Sequence, residues 1–216
     1  SGEWKAMVAD EAARTTFAKN IKTVLEKNKL DGIDLDFEWA ENEKEYKDYS
    51  LAILKMREVL GNKYLFSVSL HPVCYKISKE AIEAVDFISL QCYGPSPVRF
   101  PIEKYCSDIQ MVLEYGIPKE KLVAGVPFYG VTKDNSKKTE AYFNFVQNGL
   151  VTSPAQNEVI YQGDTYVFDG QDNIRIKTRY AKEQKLKGMM SWDLATDLPL
   201  SDSRSLLKTM TEELRE

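Results

Sequence analysis

The chain has 216 residues, 43% hydrophobic and 29% charged, with a net charge of −4. That length supports a sizeable core in one domain, and the composition is globular rather than disordered. Without a block of Lys or Arg or an apolar run of membrane-spanning length, nucleic acid and membrane are poor partners, and a neutral or weakly charged substrate fits better.

Residues 11–29 show helical spacing through Phe17, Ile21, Val24 and Leu25. Next comes Asp31-Gly32-Ile33-Asp34-Leu35-Asp36-Phe37-Glu38-Trp39, where apolar and acidic residues alternate at a period of two. This is the period of a strand. A second helix is expected over 45–60, with Tyr49, Ile53, Met56 and Leu60 on one side and Gly61 ending it. Residues 64–72 read as a strand stopped by Pro72, 78–84 as a short helix, and 85–93 as a strand ended by Gly94-Pro95. A helix over 101–115 is broken by Gly116 and Pro118, and 122–130 reads as one strand. Beyond it, 139–148 looks helical, and 158–169 looks like a hairpin turning at Gly163-Asp164. A helix over 174–186, a strand over 189–193 and a helix over 203–215 complete the chain.

Strands alternating with helices imply parallel strands flanked by helices. Polar and aromatic residues gather at the strands' C-terminal ends: Glu38, Trp39, His71, Gln91, Tyr93, Tyr129, Trp192 and Asp193. That is the end at which β/α folds hold their sites. No glycine-rich phosphate loop is present. The acidic run is the most informative segment. On a strand, Asp34, Asp36 and Glu38 share one face at steps of about 6.6 Å. Carboxylates so crowded repel one another and resist desolvation, which suits catalysis and not folding. A calcium loop also wants close acids, but the interleaved Ile33, Leu35 and Phe37 suit a strand. Cys74, Cys92 and Cys106 are odd in number, lie at no metal-ligand spacing and read as small buried hydrophobes. His71, the sole histidine, has no partner set for a triad or a multi-histidine metal site.

The run Asp31-Gly32-Ile33-Asp34-Leu35-Asp36-Phe37-Glu38 resembles the DGxDxDxE signature of family 18 glycoside hydrolases, the chitinases and related endo-β-N-acetylglucosaminidases. Ser67–Pro72, Val85–Tyr93, Leu122–Gly130 and Gly188–Asp197 resemble that family's strands five to eight, in order. The resemblance implies an α/β fold of the (β/α)8 TIM-barrel type. Five of its eight strands are recognisable, so a partial barrel of about strands 4–8 is expected. Such a barrel typically takes about 250 residues. The expectation is a single catalytic domain over 1–216, with a helix–hairpin insertion over 131–187 after strand seven, cut from a longer enzyme. Open edges at strands four and eight would invite self-association. One departure stands out: the family often has Met-x-Tyr-Asp on strand six, where this chain has Gln91-Cys92-Tyr93-Gly94.

The resemblance also implies the chemistry. Most retaining glycosidases use two carboxylates, but this family is a substrate-assisted exception. Glu38 would be the acid/base, kept protonated by its acidic neighbours. Asp36 would hold the acetamido N–H of the bound sugar, and Asp34 would share a proton or hydrogen bond with Asp36. Tyr93 would donate to the acetamido oxygen. Trp192 would floor the sugar ring, with Gln91 and Tyr129 as further ring contacts. Asp31, which precedes Gly32 on the opposite parity, would take a structural turn or hydrogen-bonding role among the substrate-binding residues. No metal or cofactor is implied. The implied ligand is an oligo- or polysaccharide containing N-acetylglucosamine (GlcNAc). Chitin, N-glycan cores and non-catalytic glycan binding are the alternative uses of the groove. The short insertion suggests a shallow cleft, and polymeric glycans suggest action outside the cytoplasm or in a periplasm.

Overall fold

The computed structural model describes residues 2–215. The chain divides into two compact units, residues 1–90 with 112–122, and residues 91–111 with 123–216. In the first unit the order is α1 (Gly2–Ala9), α2 (Glu11–Asn28), β1 (Gly32–Asp36), α3 (Glu43–Leu60), β2 (Leu65–Leu70), α4 (Lys79–Ala84) and β3 (Phe87–Leu90). The strands run in parallel in the order β1-β2-β3, with Asp34 opposite Ser67 and Asp36 opposite Ser69.

Local chemistry sets the helix ends. Asp10 accepts from Ala13 N at 2.7 Å and starts α2; Asn42 accepts from Glu45 N at 3.0 Å and starts α3. Gly61 follows α3 at φ 61°, a conformation glycine adopts without penalty. The expected stripe on α3, Tyr49, Ile53, Met56 and Leu60, is buried throughout. On α2 the stripe differs from expectation. Arg14, Ala18 and Leu25 are buried, whereas Val24 is exposed and Phe17 and Ile21 are half-buried. Helix α1, which the periodicity did not reveal, packs against the first half of α2. The Arg14 guanidinium donates to Val8 O at 2.6 Å, and Trp4 meets Phe17 edge-on at 5.3 Å.

Gly32 opens β1 because β1 and β2 approach too closely for a side chain there. A Cβ at Gly32 would sit 2.2 Å from Leu65 O and 2.7 Å from Leu65 Cβ. Gly32→Ala must push the two strands apart, at a cost of roughly 1–3 kcal/mol. A urea unfolding midpoint unchanged in this variant would contradict that packing.

Helix α5 (Ile102–Tyr115) supplies residues to both units. The second unit then carries β4 (Leu122–Pro127), β5 (Tyr129–Thr132), β6 (Thr139–Ala141), α6 (Tyr142–Gln147), β7 (Glu158–Tyr161), β8 (Asp164–Val167), α7 (Gln171–Glu183), β9 (Gly188–Trp192) and α8 (Leu206–Arg215). Strands β4 and β9 pair in parallel, Pro127 opposite Trp192. Strands β6-β5-β8-β7 form a separate antiparallel sheet.

Three expected boundaries change. The strand expected over 122–130 is two strands in two sheets. The β4–β9 pairing closes with Phe128 N on Trp192 O at 2.8 Å, and Tyr129 then pairs antiparallel with Ala141 to begin the second sheet. The helix expected from 139 begins at Tyr142, because Thr139–Ala141 pair with β5 as β6. The expected helix and hairpin are both present, and the hairpin is part of a four-stranded antiparallel sheet. Its hairpin turns at Gln162 (φ 50°) and Gly163 (φ 87°), one residue earlier than expected, with Asp164 already in β8. All five parallel strands anticipated from sequence are present as β1, β2, β3, β4 and β9. Among the described residues no helix is long and apolar enough to cross a membrane.

Cys74 and Cys92 are buried as expected, while Cys106 is half-buried; all three are free thiols. Burial pushes each thiol's pKa above its usual range, Cys92 most strongly. A raised pKa keeps the thiol protonated at pH 8, where the nucleophilic thiolate would otherwise begin to form. A native-state thiol titration at pH 8 should label Cys106 first. Cys92 should react only on unfolding, and rapid labelling of Cys92 in the folded chain would contradict its burial.

Candidate active site

The acidic run keeps its alternation but not its full length as a strand. Strand β1 ends at Asp36; Phe37, Glu38 and Trp39 continue the in–out pattern beyond the ladder. Leu35 and Phe37 are buried, whereas Asp34, Asp36 and Glu38 are exposed on the opposite face. Ile33 is only half-buried, since it lies near the start of the strand. The apolar face is the one the helices cover. Tyr49 of α3 donates its hydroxyl to Leu35 O at 3.2 Å, and the Phe37 ring meets Tyr49 at 4.9 Å and Trp4 at 5.9 Å. Burial first, and then the charges of Asp34 and Asp36, hold the Tyr49 hydroxyl well above its usual pKa, so it stays a neutral donor.

Asp34 is the best anchored of the three acids. Ser67 Oγ donates to one of its oxygens at 2.5 Å and Ser69 Oγ to the other at 2.7 Å. Both serines are buried and lie on the neighbouring strand, on the acids' side. Their role was not visible in sequence, although Ser67-Val68-Ser69 has the same period of two. Asp31 lies outside β1, and its main-chain carbonyl accepts from Leu65 N at 3.0 Å. At the far end, Trp39 packs against His71 with ring centroids 4.7 Å apart. The Glu38–Trp39 peptide is cis, as is Trp192–Asp193.

The remaining expected site residues lie in the second unit. Gln91 and Tyr93 are buried and follow β3, which ends at Leu90 and not at Tyr93 as the sequence suggested. The ladder stops there, leaving residues 91–93 free of strand geometry. Tyr93 donates its hydroxyl to Met190 Sδ at 3.6 Å and stands edge-on to Tyr129, ring centroids 6.4 Å apart. Tyr129 donates to Gly94 O at 3.3 Å, and burial holds its hydroxyl above its usual pKa. Tyr129 and Trp192 line one cavity of about 360 Å³, together with Glu140, Asp193 and Thr196. Trp192 remains 54% exposed, so its ring is available as a stacking surface. Glu140 and Thr196 had no signal in the sequence beyond their polarity.

Parallel strands alternating with helices place the chain in the α/β class. Residues 1–197 match the model of the glycosyl hydrolases family 18, and the chain belongs to that family. It is 23% identical to a probable chitinase 2 of Drosophila melanogaster over 91% of this chain, and spans 54% of that relative's length. Among solved structures it resembles a family 18 chitinase of Flavobacterium johnsoniae, with 27% identity and a TM-score of 0.81. The match covers 99% of this chain and 69% of that one. It also shares the fold of a chitinase-like agglutinin of Robinia pseudoacacia, at 19% identity and a TM-score of 0.82, covering 98% of this chain and 76% of the agglutinin. The α/β fold class of the barrel chitinases is therefore that of this chain.

Proposed function

We propose that residues 1–216 act as a catalytic domain that hydrolyses β-1,4 bonds next to N-acetylglucosamine, in chitin or chitooligosaccharides. The reaction is retaining and substrate-assisted. Glu38 gives its proton to the leaving oxygen while the acetamido carbonyl oxygen of the bound sugar attacks the anomeric carbon. The glycosidic bond breaks and a cyclic oxazolinium forms. Glu38, now a carboxylate, takes a proton from water, whose oxygen then opens the ring. Asp36 accepts from the acetamido N–H and offsets the positive charge, and Asp34, held by its two serines, steadies Asp36. Tyr93 donates to the acetamido oxygen and Trp192 stacks under the ring. Gln91 and Tyr129 make further ring contacts, and Asp31 anchors the start of the acidic strand. Action outside the cytoplasm goes with a polymeric glycan substrate.

The observation that carries this reading is the single acidic face of residues 34–38 in a chain of this family. A second reading is glycan binding without turnover, which the likeness to an agglutinin supports. The test presents the chain with chitooligosaccharides and, separately, with N-glycan cores, and follows both products and binding. Cleaved chitooligosaccharide supports the proposal. Cleavage of the glycan core alone moves the substrate to N-glycans, and binding without products favours the second reading.

A further inference from the structure

Glu38 lies beyond the hydrogen-bonded ladder of β1, so other contacts must set its place. The turn that follows β2 supplies two. Cys74 Sγ accepts the Ala40 N–H at 3.2 Å, and the His71 ring stands at 64° to the Trp39 indole. These contacts hold the two residues that immediately follow Glu38. The turn is itself well closed: Cys74 N donates to His71 O at 2.7 Å and His71 N to Cys74 O at 3.3 Å. His71 Nδ1 accepts from Val73 N at 3.2 Å, which orients the ring. Tyr46 of α3 donates its hydroxyl to Val73 O in the same turn at 3.4 Å. Cys74 is 1% exposed, and its burial keeps the sulfur a neutral thiol that can accept the Ala40 amide.

We infer that the His71–Cys74 turn is a clamp that positions Glu38 through Trp39 and Ala40, with Cys74 and His71 as positioning residues that never touch substrate. The inference rests on the catalytic reading of Glu38 given above. Its energetic basis is the sensitivity of proton transfer to placement, where a shift of about 1 Å can cost as much as 100-fold in rate.

The experiment compares the full chain with Cys74→Ala, Cys74→Ser and His71→Ala, with Cys106→Ala as a control outside the clamp. Two quantities are read: hydrogen exchange of the Ala40 amide, and kcat and KM on a chitooligosaccharide. Cys74→Ala should speed Ala40 exchange by about 10-fold or more by removing the amide's acceptor. It should lower kcat by roughly 10- to 100-fold with KM within about twofold, the pattern of a misplaced acid. Cys74→Ser, whose hydroxyl can accept the same N–H, should recover part of both, and Cys106→Ala should change neither. Unchanged Ala40 exchange in Cys74→Ala overturns the clamp, as does faster exchange with unchanged kcat. Should Cys74→Ala not fold, Cys74→Ser and His71→Ala carry the same comparison. If the wild-type chain turns over nothing, the catalytic reading fails, and Ala40 exchange alone then decides whether the clamp exists.

Discussion

Glu38→Gln should lower turnover of a chromogenic GlcNAc-oligosaccharide glycoside by roughly 100- to 10,000-fold, the usual contribution of a positioned acid/base. The amide keeps the shape and a hydrogen-bonding capacity but has no proton to give at pH 5–7 and cannot later take one from water. Because the Glu38 side chain is exposed, stability should change by no more than about 0.5 kcal/mol. Substrate binding should also persist, since the residue's proposed role is proton transfer and not affinity. The measurement pairs initial rates with a thermal melt and a binding titration on the same preparations. Equal rates for the two proteins would remove Glu38 from the mechanism.

The second large effect is on stability and lies away from the chemistry. Lys177 on α7 is fully buried, and its Nζ meets Asp169 Oδ2 at 2.5 Å. Asn173 Nδ2 donates to the other Asp169 oxygen at 3.2 Å, and the Lys177 ammonium faces the Phe100 and Tyr105 rings at 5.9 and 5.5 Å. Each charge is therefore compensated, but neither can be solvated if its partner is lost. Lys177→Met leaves a buried carboxylate without its cation, which should cost roughly 3–5 kcal/mol and lower the melting midpoint by roughly 6–20 °C. Asp169→Leu should do similar damage by stranding the ammonium. The double variant, which removes both charges and fills the volume with apolar atoms, should recover most of the loss. A calorimetric melt of the three variants reads this directly, and additive losses in the double variant would show that the two groups do not act as a pair.

The acidic face of residues 34–38 was legible in sequence because a period of two is a local property of extended backbone, independent of what the strand packs against. The buried stripe of α3 was legible for the same reason at helical period. Other features were not. The segment 122–130 is continuously apolar, and periodicity cannot divide such a run. The division comes from partners far along the chain: Pro127 pairs with Trp192 in the parallel sheet, whereas Tyr129 pairs with Ala141 and Val131 with Val167 in the antiparallel one. Helix α1 has no clear stripe of its own; it is held by Trp4 on Phe17 and Phe37 and by the bond from Arg14 to Val8 O.

Which side chains share a face, and which strand ends carry polar and aromatic groups, can be read from the chain alone. Those are consequences of backbone geometry over a few residues and need no partner. How each group is held depends instead on long-range packing. Ser67 and Ser69 reach Asp34 because β2 pairs with β1 in one register, and a shift of one residue would turn both hydroxyls to the helix side. Cys74 reaches Ala40 because the turn after β2 closes beside the end of β1. Register and turn placement are settled by the packing of segments distant in sequence, and no local pattern encodes them.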